Sequence, residues 1–312
     1  MAKQKQSVVR VRSENLSWFD KLSPSRKDLV CLLSLFVLVL FLFNKIVFNN
    51  MMFADSGDTA SAMSWHHAGT HIQETEHVDA LWFPYVFSGM PSFGSLAFVP
   101  RNVNYLTTAI QWVGKYLLFG ADWGWIVLHY YLMGVFMYLL VRQLKFSHIP
   151  SMLAAITLML NPYAIGLAQS GHGSKLMALS YLPLVFLLTQ SLFERRNLLS
   201  FGLLAAAVGT MLLTNHVQMI FYAFLVVGCY LVYEIVRDLK RQPILATKKG
   251  ILFLLAFAIG FAISAYVYLS VLEYAQFSMR GGGGSDGGAG GLSYDYATNW
   301  SFHPLEIGRA HV

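Results

Sequence analysis

The chain has 312 residues, of which 56% are hydrophobic and only 12% are charged. Several apolar runs reach about 18 residues or more, enough to cross a bilayer as helices, so the composition excludes an ordinary soluble domain. The net charge of +6 does not indicate nucleic-acid binding, because the basic residues are concentrated in short segments between apolar runs. The predicted fold class is all-α: a polytopic integral membrane protein with about seven transmembrane helices and a large first extracytoplasmic loop.

The chain begins with a basic segment and then enters its first apolar run. Residues 1–28 hold seven Lys and Arg residues against three acids, which predicts a cytoplasmic tail. The first predicted span covers residues 29–48 and contains Lys45 near its outer end, where a lysine can extend its ammonium group to the interface. The polar loop that follows, residues 49–103, carries five of the 16 acidic residues.

The rest of the chain predicts six further spans, all within a transmembrane domain of residues 29–277. Tyr105–Phe119 is apolar but short, which predicts an interfacial or re-entrant helix. Asn161 and Pro162 predict a kink in the third span. The six spans are predicted at residues 123–141, 151–168, 176–193, 199–213, 219–236 and 251–274.

The basic residues predict the orientation. With the N-terminus inside, 16 of the 22 Lys and Arg residues fall in segments on the cytoplasmic side, in agreement with the positive-inside rule. The large first loop is therefore expected on the extracytoplasmic face. The predicted location is a membrane that the chain crosses several times, with the N-terminus on the cytoplasmic side.

The C-terminal segment predicts a fragment of a longer protein. Residues 278–306 read as an extracytoplasmic loop that is cut short, and Gly281–Gly291 is expected to be flexible. Residues 307–312 resemble the translation of a sequencing adapter, so we expect this tail to be non-native.

Asp55 and Asp58 follow the first span at a spacing that places both carboxylates on one side of a helical turn. Such a pair could hold a divalent cation, Mg²⁺ or Mn²⁺, through oxygen ligands. One of the two could instead be a general base for an acceptor hydroxyl. Capping of a helix explains the same residues without any catalytic role.

Two further parts of the loop have a functional and a structural interpretation. His67 and His71 have the spacing of zinc ligands on a helix, although a solvated polar helix accounts for them equally. Trp82–Gly94 mixes aromatic residues with Pro and Gly. These aromatics could stack on sugars or could belong to the aromatic belt at the membrane interface.

A second set of polar residues lies at the predicted outer ends of the later spans. Polar groups at membrane depth are costly and often mark a site, and their clustering on one side matches the side of Asp58. Lys175 and Arg280 could bind phosphate oxygens. The set comprises Asn161, His172, Lys175, Asn215, His216, Gln218, Glu273 and Arg280.

The order of these features resembles the N-terminal part of the YfhO family of bacterial membrane proteins. The resemblance covers residues 29–306. It rests on Asp55-Ser-Gly-Asp58, Trp82-Phe-Pro-Tyr with Ser88-Gly-Met-Pro91, Gly171-His172, Asn215-His-Val-Gln218, Glu273 with Ser278-Met-Arg280, and Tyr294-Asp-Tyr-Ala-Thr-Asn-Trp300. The glycine-rich run looks like a local insertion relative to that pattern.

The resemblance implies a GT-C type integral-membrane glycosyltransferase. It would transfer sugar from a polyprenyl-phosphate-linked donor to a cell-envelope polymer or protein on the outer face. Asp58 would be catalytic base or metal ligand, supported by Asp55. The substrate-binding residues would be His172, Lys175, Glu273, Arg280, Gln218 and Trp82. A transporter or flippase of lipid-linked glycans, or a non-enzymatic envelope assembly protein, is the alternative.

Overall fold

The computed structural model describes residues 18–53, 57–84, 88–92, 105–278, 294–299 and 301, and these are nearly all helical. Two short strands, β1 (Trp82–Phe83) and β2 (Met90–Pro91), form a hairpin. The helices are α1 (Pro24–Leu42), α2 (Asn44–Asn49), α3 (Gly57–Glu76), α4 (Tyr105–Leu117), α5 (Gly124–Gln143), α6 (His148–Met159), α7 (Pro162–Gln169), α8 (Gly173–Arg195), α9 (Leu198–Leu212), α10 (Val217–Leu239), α11 (Pro243–Ala275) and α12 (Tyr294–Thr298).

Among the described residues, five helical segments are long and apolar enough to cross a membrane. They are α5, α6 together with α7, α8, α10 and α11. The chain is therefore a multi-pass membrane protein of nearly all-α structure. α9 is apolar but has only 15 residues, and α1 begins with the charged residues Arg26, Lys27 and Asp28. The number of seven spans accordingly stays a prediction.

Two of the predicted spans are interrupted helices. The first is divided into α1 and α2 at Phe43, whose backbone (φ −103°, ψ 25°) leaves the helical conformation. The third breaks between α6 and α7 at the predicted kink, because Pro162 has no N–H group to continue the helical ladder. Asn161 caps the new helix by accepting a 2.8 Å hydrogen bond from the backbone N–H of Ala164.

The helices pack around two apolar cores. The first joins α1, α5, α6 and α7 and buries Tyr130, Tyr138 and Met159 completely. The second joins α8 to α11. Small residues let α9 and α11 approach closely: a Cβ atom on Gly260 would lie 2.7 Å from the Cβ of Val208.

The predicted extracytoplasmic loop contains a helix of 20 residues, α3. Phe83 of β1 is 1% exposed and packs against Trp65, Ala68 and Ile72, which gives α3 and the hairpin a small core of their own. The side chain of Trp82 remains exposed. The N-terminal end of α3 extends beyond this core and contacts the turn between α7 and α8.

Candidate functional site

The structure brings Asp58 and His172 together. Asp58 lies in the first turn of α3, and His172 is the residue that precedes α8. The Asp58 Oδ2 and His172 Nε2 atoms are 3.2 Å apart. Asp58 keeps 69% of its side-chain surface exposed and His172 keeps 35%, so the pair is accessible to a substrate.

The turn between α7 and α8 determines where His172 lies. The N–H of His172 donates to the carbonyl of Leu167 (2.8 Å), and the N–H of Gly171 donates to that of Ala168 (3.2 Å). This is the hydrogen-bond pattern of a Schellman motif, which requires a left-handed residue after the helix. Gly171 provides that residue with φ +75°. The motif ends α7 and directs His172 towards α3.

Gly171 also makes room for α3. A Cβ atom on Gly171 would lie 2.6 Å from Thr59 Oγ1 and 2.8 Å from the Thr59 backbone nitrogen. Thr59 is only 2% exposed, so the first turn of α3 packs directly on this turn. The contact positions the neighbouring Asp58 beside His172.

Basic groups gather next to this pair. His216 precedes α10, and its Nδ1 atom accepts a 3.3 Å hydrogen bond from the backbone N–H of Met219. Burial lowers the pKa of His216 below its usual value, and the charges of Lys175 and His172 lower it further. His172 and Lys175 lie at the N-terminus of α8, and His216 lies at the N-terminus of α10. Backbone N–H groups at such helix ends favour anions. The arrangement suits a phosphate group next to a carboxylate.

The other predicted site residues either make no described contact with Asp58 and His172 or lie outside the described residues. Gln218 donates a 3.0 Å hydrogen bond to the hydroxyl of Tyr222, and Glu273 is exposed. Among the described contacts, none links Gln218, Glu273 or Trp82 to Asp58 or His172. Asp55 and Arg280 lie outside the described residues, so their predicted roles stay predictions.

A metal centre is not assembled by the part of the chain that the structure describes. Within those residues, no group of three or more His, Cys, Asp or Glu side chains is close enough to hold an ion. His67 and His71 lie on the exposed side of α3. Asp58 with His172 supplies two ligands, and the predicted partner Asp55 lies outside the described residues.

A buried ion cluster at the opposite ends of the helices was missed by the sequence analysis. Lys249 Nζ lies 2.5 Å from Glu234 and 2.6 Å from Asp238, and Arg237 pairs with both acids. Glu234 and Lys249 are each only 4% exposed. The signal in the sequence is the position of Glu234 within the predicted span 219–236, because acids are rare inside membrane spans. Asp238 lies four residues later on the same face of α10.

Comparison of the chain with family models, with curated proteins and with solved structures finds no match.

Proposed function

We propose that this chain is the membrane domain of a glycosyltransferase that uses a polyprenyl-phosphate-linked sugar donor. The observation that carries the proposal is the contact between Asp58 and His172 beside Lys175 and His216. It combines a carboxylate for proton transfer with basic groups for a phosphate, at the ends of apolar helices. The acceptor would be a cell-envelope polymer or protein.

The proposed reaction assigns one role to the carboxylate and another to the basic groups. An acceptor hydroxyl attacks the anomeric carbon of the donor while the bond from that carbon to the phosphate oxygen breaks. The hydroxyl proton passes to the carboxylate of Asp58, which acts as general base. His172 orients that carboxylate, and Lys175 stabilises the charge that develops on the departing polyprenyl phosphate.

The proposed orientation places this site on the extracytoplasmic face of a bacterial inner membrane, with the N-terminus in the cytoplasm. The support is the concentration of Lys and Arg in alternate loops. Asp58, His172 and Lys175 lie at the ends of helices opposite to those loops, as transfer of an exported lipid-linked sugar requires.

The interruption between α6 and α7 favours a second function, transport of a lipid-linked glycan, because transporters bind their substrates at broken helices. The polar groups of Asn161 argue against it. Its amide donates to the carbonyl of Leu158, and its oxygen accepts from Ala164. Both groups are used within the break, so they do not present a binding site to a substrate.

Replacement of Asp58 with Asn tests the proposal in the membrane-embedded protein. Asn keeps the shape and removes the base, so transfer from a polyprenyl-phosphate sugar should fall by about 10² to 10⁴. The matched control is Asp122→Asn, since Asp122 is also an exposed acid and pairs with Lys115 at 2.7 Å. That variant should keep full transfer. If Asp58→Asn also transfers normally, and only its thermal stability falls, Asp58 serves the first turn of α3 and the proposal fails.

A further inference from the structure

The helix ends on the side opposite to Asp58 enclose a cleft with a volume of about 340 Å³. It lies between the C-terminal ends of α8 and α10 and the start of α11. Phe193 and Tyr230 form an aromatic wall, with their rings stacked at 5.9 Å. The remainder of the lining is mainly polar or charged. The cleft belongs to the side that carries most of the basic residues.

The buried ion cluster neutralises most of the charge in this cleft. Lys249 and Arg237 are the two cations of the cluster, and Glu234 and Asp238 are its two carboxylates. Each of these four groups has an oppositely charged partner. They therefore form the structural base of the cleft and offer little net charge to a ligand.

Two charged side chains of the lining have no ionic partner among the described residues: Arg196 and Glu194. Arg196 ends α8 in a left-handed conformation (φ +51°), and its guanidinium makes one hydrogen bond, to the carbonyl of Phe193 at 2.6 Å. Its other N–H groups remain available. The carboxylate of Glu194 accepts only a long hydrogen bond of 3.5 Å from Gln190. The cleft thus presents one positive and one negative group.

Gln190 adds a requirement for a hydrogen-bond donor. Its Oε1 atom is buried and has no partner within the described part of the chain, and such an acceptor is costly unless a ligand donates to it. A ligand that fits has an anionic group for Arg196 and a cationic N–H donor for Glu194 and Gln190. The cleft lies at the ends of membrane-spanning helices, at the depth of the lipid headgroups.

We propose that this cleft binds the headgroup of a phospholipid with a primary ammonium group, as in phosphatidylethanolamine. The phosphate pairs with the guanidinium of Arg196. The ammonium donates to the carboxylate of Glu194 and to Gln190 Oε1. Phosphatidylcholine fits less well, since its trimethylammonium group has no N–H to donate. Phosphatidylglycerol has no cation for Glu194. This site is independent of the proposed transfer reaction.

Native mass spectrometry of the purified chain, exchanged into mixtures of the three lipids, tests the assignment. Phosphatidylethanolamine should be retained about tenfold better than phosphatidylcholine, because only it satisfies the buried acceptor. Glu194→Gln should remove most of this preference, whereas Arg196→Gln should lower the retention of all three lipids, because each of them carries the phosphate that Arg196 binds. Arg195→Gln is the matched control: Arg195 is the adjacent exposed arginine but does not line the cleft, so its variant should behave like the unmodified protein.

Gln190→Leu separates the headgroup from general lipid adhesion. Loss of the acceptor should bring the retention of phosphatidylcholine close to that of phosphatidylethanolamine, and both lipids should still be retained. Equal retention of the three lipids by the unmodified protein would overturn the proposal, as would equal effects of the Arg196 and Arg195 variants. Binding of soluble glycerophosphoethanolamine as tightly as the lipid would overturn the assignment to a membrane lipid.

Discussion

The position of Asp58 depends on a glycine, and Gly171→Ala should disrupt the candidate site without touching its polar groups. Gly171 has φ +75°, and the space where a Cβ would stand is filled by Thr59 of α3. Alanine at this position therefore meets two obstacles, one in its own backbone and one in the neighbouring helix. Both lie next to the contact between Asp58 and His172.

The magnitude follows from these two obstacles. A left-handed conformation costs an alanine about 1–2 kcal/mol. The overlap with Thr59 costs about 1–3 kcal/mol if α3 stays in place, and it involves a backbone nitrogen at 2.8 Å, which cannot rotate away as a side chain can. The lower-energy response is movement of α3 away from the turn. The variant should lose about 1–3 kcal/mol of stability, and Asp58 should separate from His172.

Cross-linking measures that separation. The variant carries Asp58→Cys and His172→Cys in a background where the exposed Cys229 is replaced. It should be cross-linked by a short bis-methanethiosulfonate reagent when Gly171 is present, and much less when Gly171→Ala is added. Gly166→Ala is the control, because Gly166 lies on the preceding helix and a Cβ there meets no atom within 4 Å. Equal cross-linking in the Gly171→Ala and Gly166→Ala proteins would refute the reasoning, and so would an unchanged thermal midpoint for Gly171→Ala.

Two further predictions concern stability. Gly260→Ala should lower the free energy of unfolding by about 1–3 kcal/mol, because its Cβ would overlap Val208 of α9. Gly228→Ala, where a Cβ meets no atom within 4 Å, should raise the free energy of unfolding by about 0.5–1 kcal/mol. Thermal unfolding in detergent that ranks the two variants in the opposite order would contradict the close packing of α9 and α11. Because the pKa of His216 is lower in the folded chain than its usual 6.5, the unfolded chain binds the proton first, so stability should fall as the pH drops below about 6.5. Midpoints measured against pH should show a weaker fall for His216→Asn, and equal slopes would exclude this residue as the cause.

The sequence predicted the membrane class and most of the helical segments, because apolar runs of this length match the thickness of a bilayer and are rare in soluble proteins. It also predicted the break at Asn161 and Pro162, where a missing N–H group leaves little choice. The candidate site was predicted only as a one-sided cluster. His172 was included in that cluster, but its contact with Asp58 depends on how a turn between two distant helices packs on α3, and no local pattern encodes that packing.

Other features could not be read from local pattern. The division of the first span at Phe43 lies directly before Asn44 and Lys45. These two polar residues interrupt the apolar run, but a lysine near the end of a span is also compatible with a continuous helix. α3 is polar along most of its length, and its helical state is stabilised by the contact of Trp65 with Phe83, at 5.2 Å between ring centroids. Lys249 lies between the predicted spans 219–236 and 251–274. Its burial against Glu234 depends on the packing of α10 beside α11, which no local pattern predicts.

α11 and α9 pack against each other but differ greatly in length. Its 33 residues extend about 50 Å at 1.5 Å per residue, and the part beyond the lysines, residues 251–275, measures about 37 Å. A hydrocarbon core of about 30 Å accommodates that part at a tilt of about 35°. α9, with 15 residues, measures about 22 Å and is too short for the same core. The two helices pack together through Gly260 but deviate from the membrane thickness in opposite directions, so a thicker or thinner bilayer would act directly on their contact.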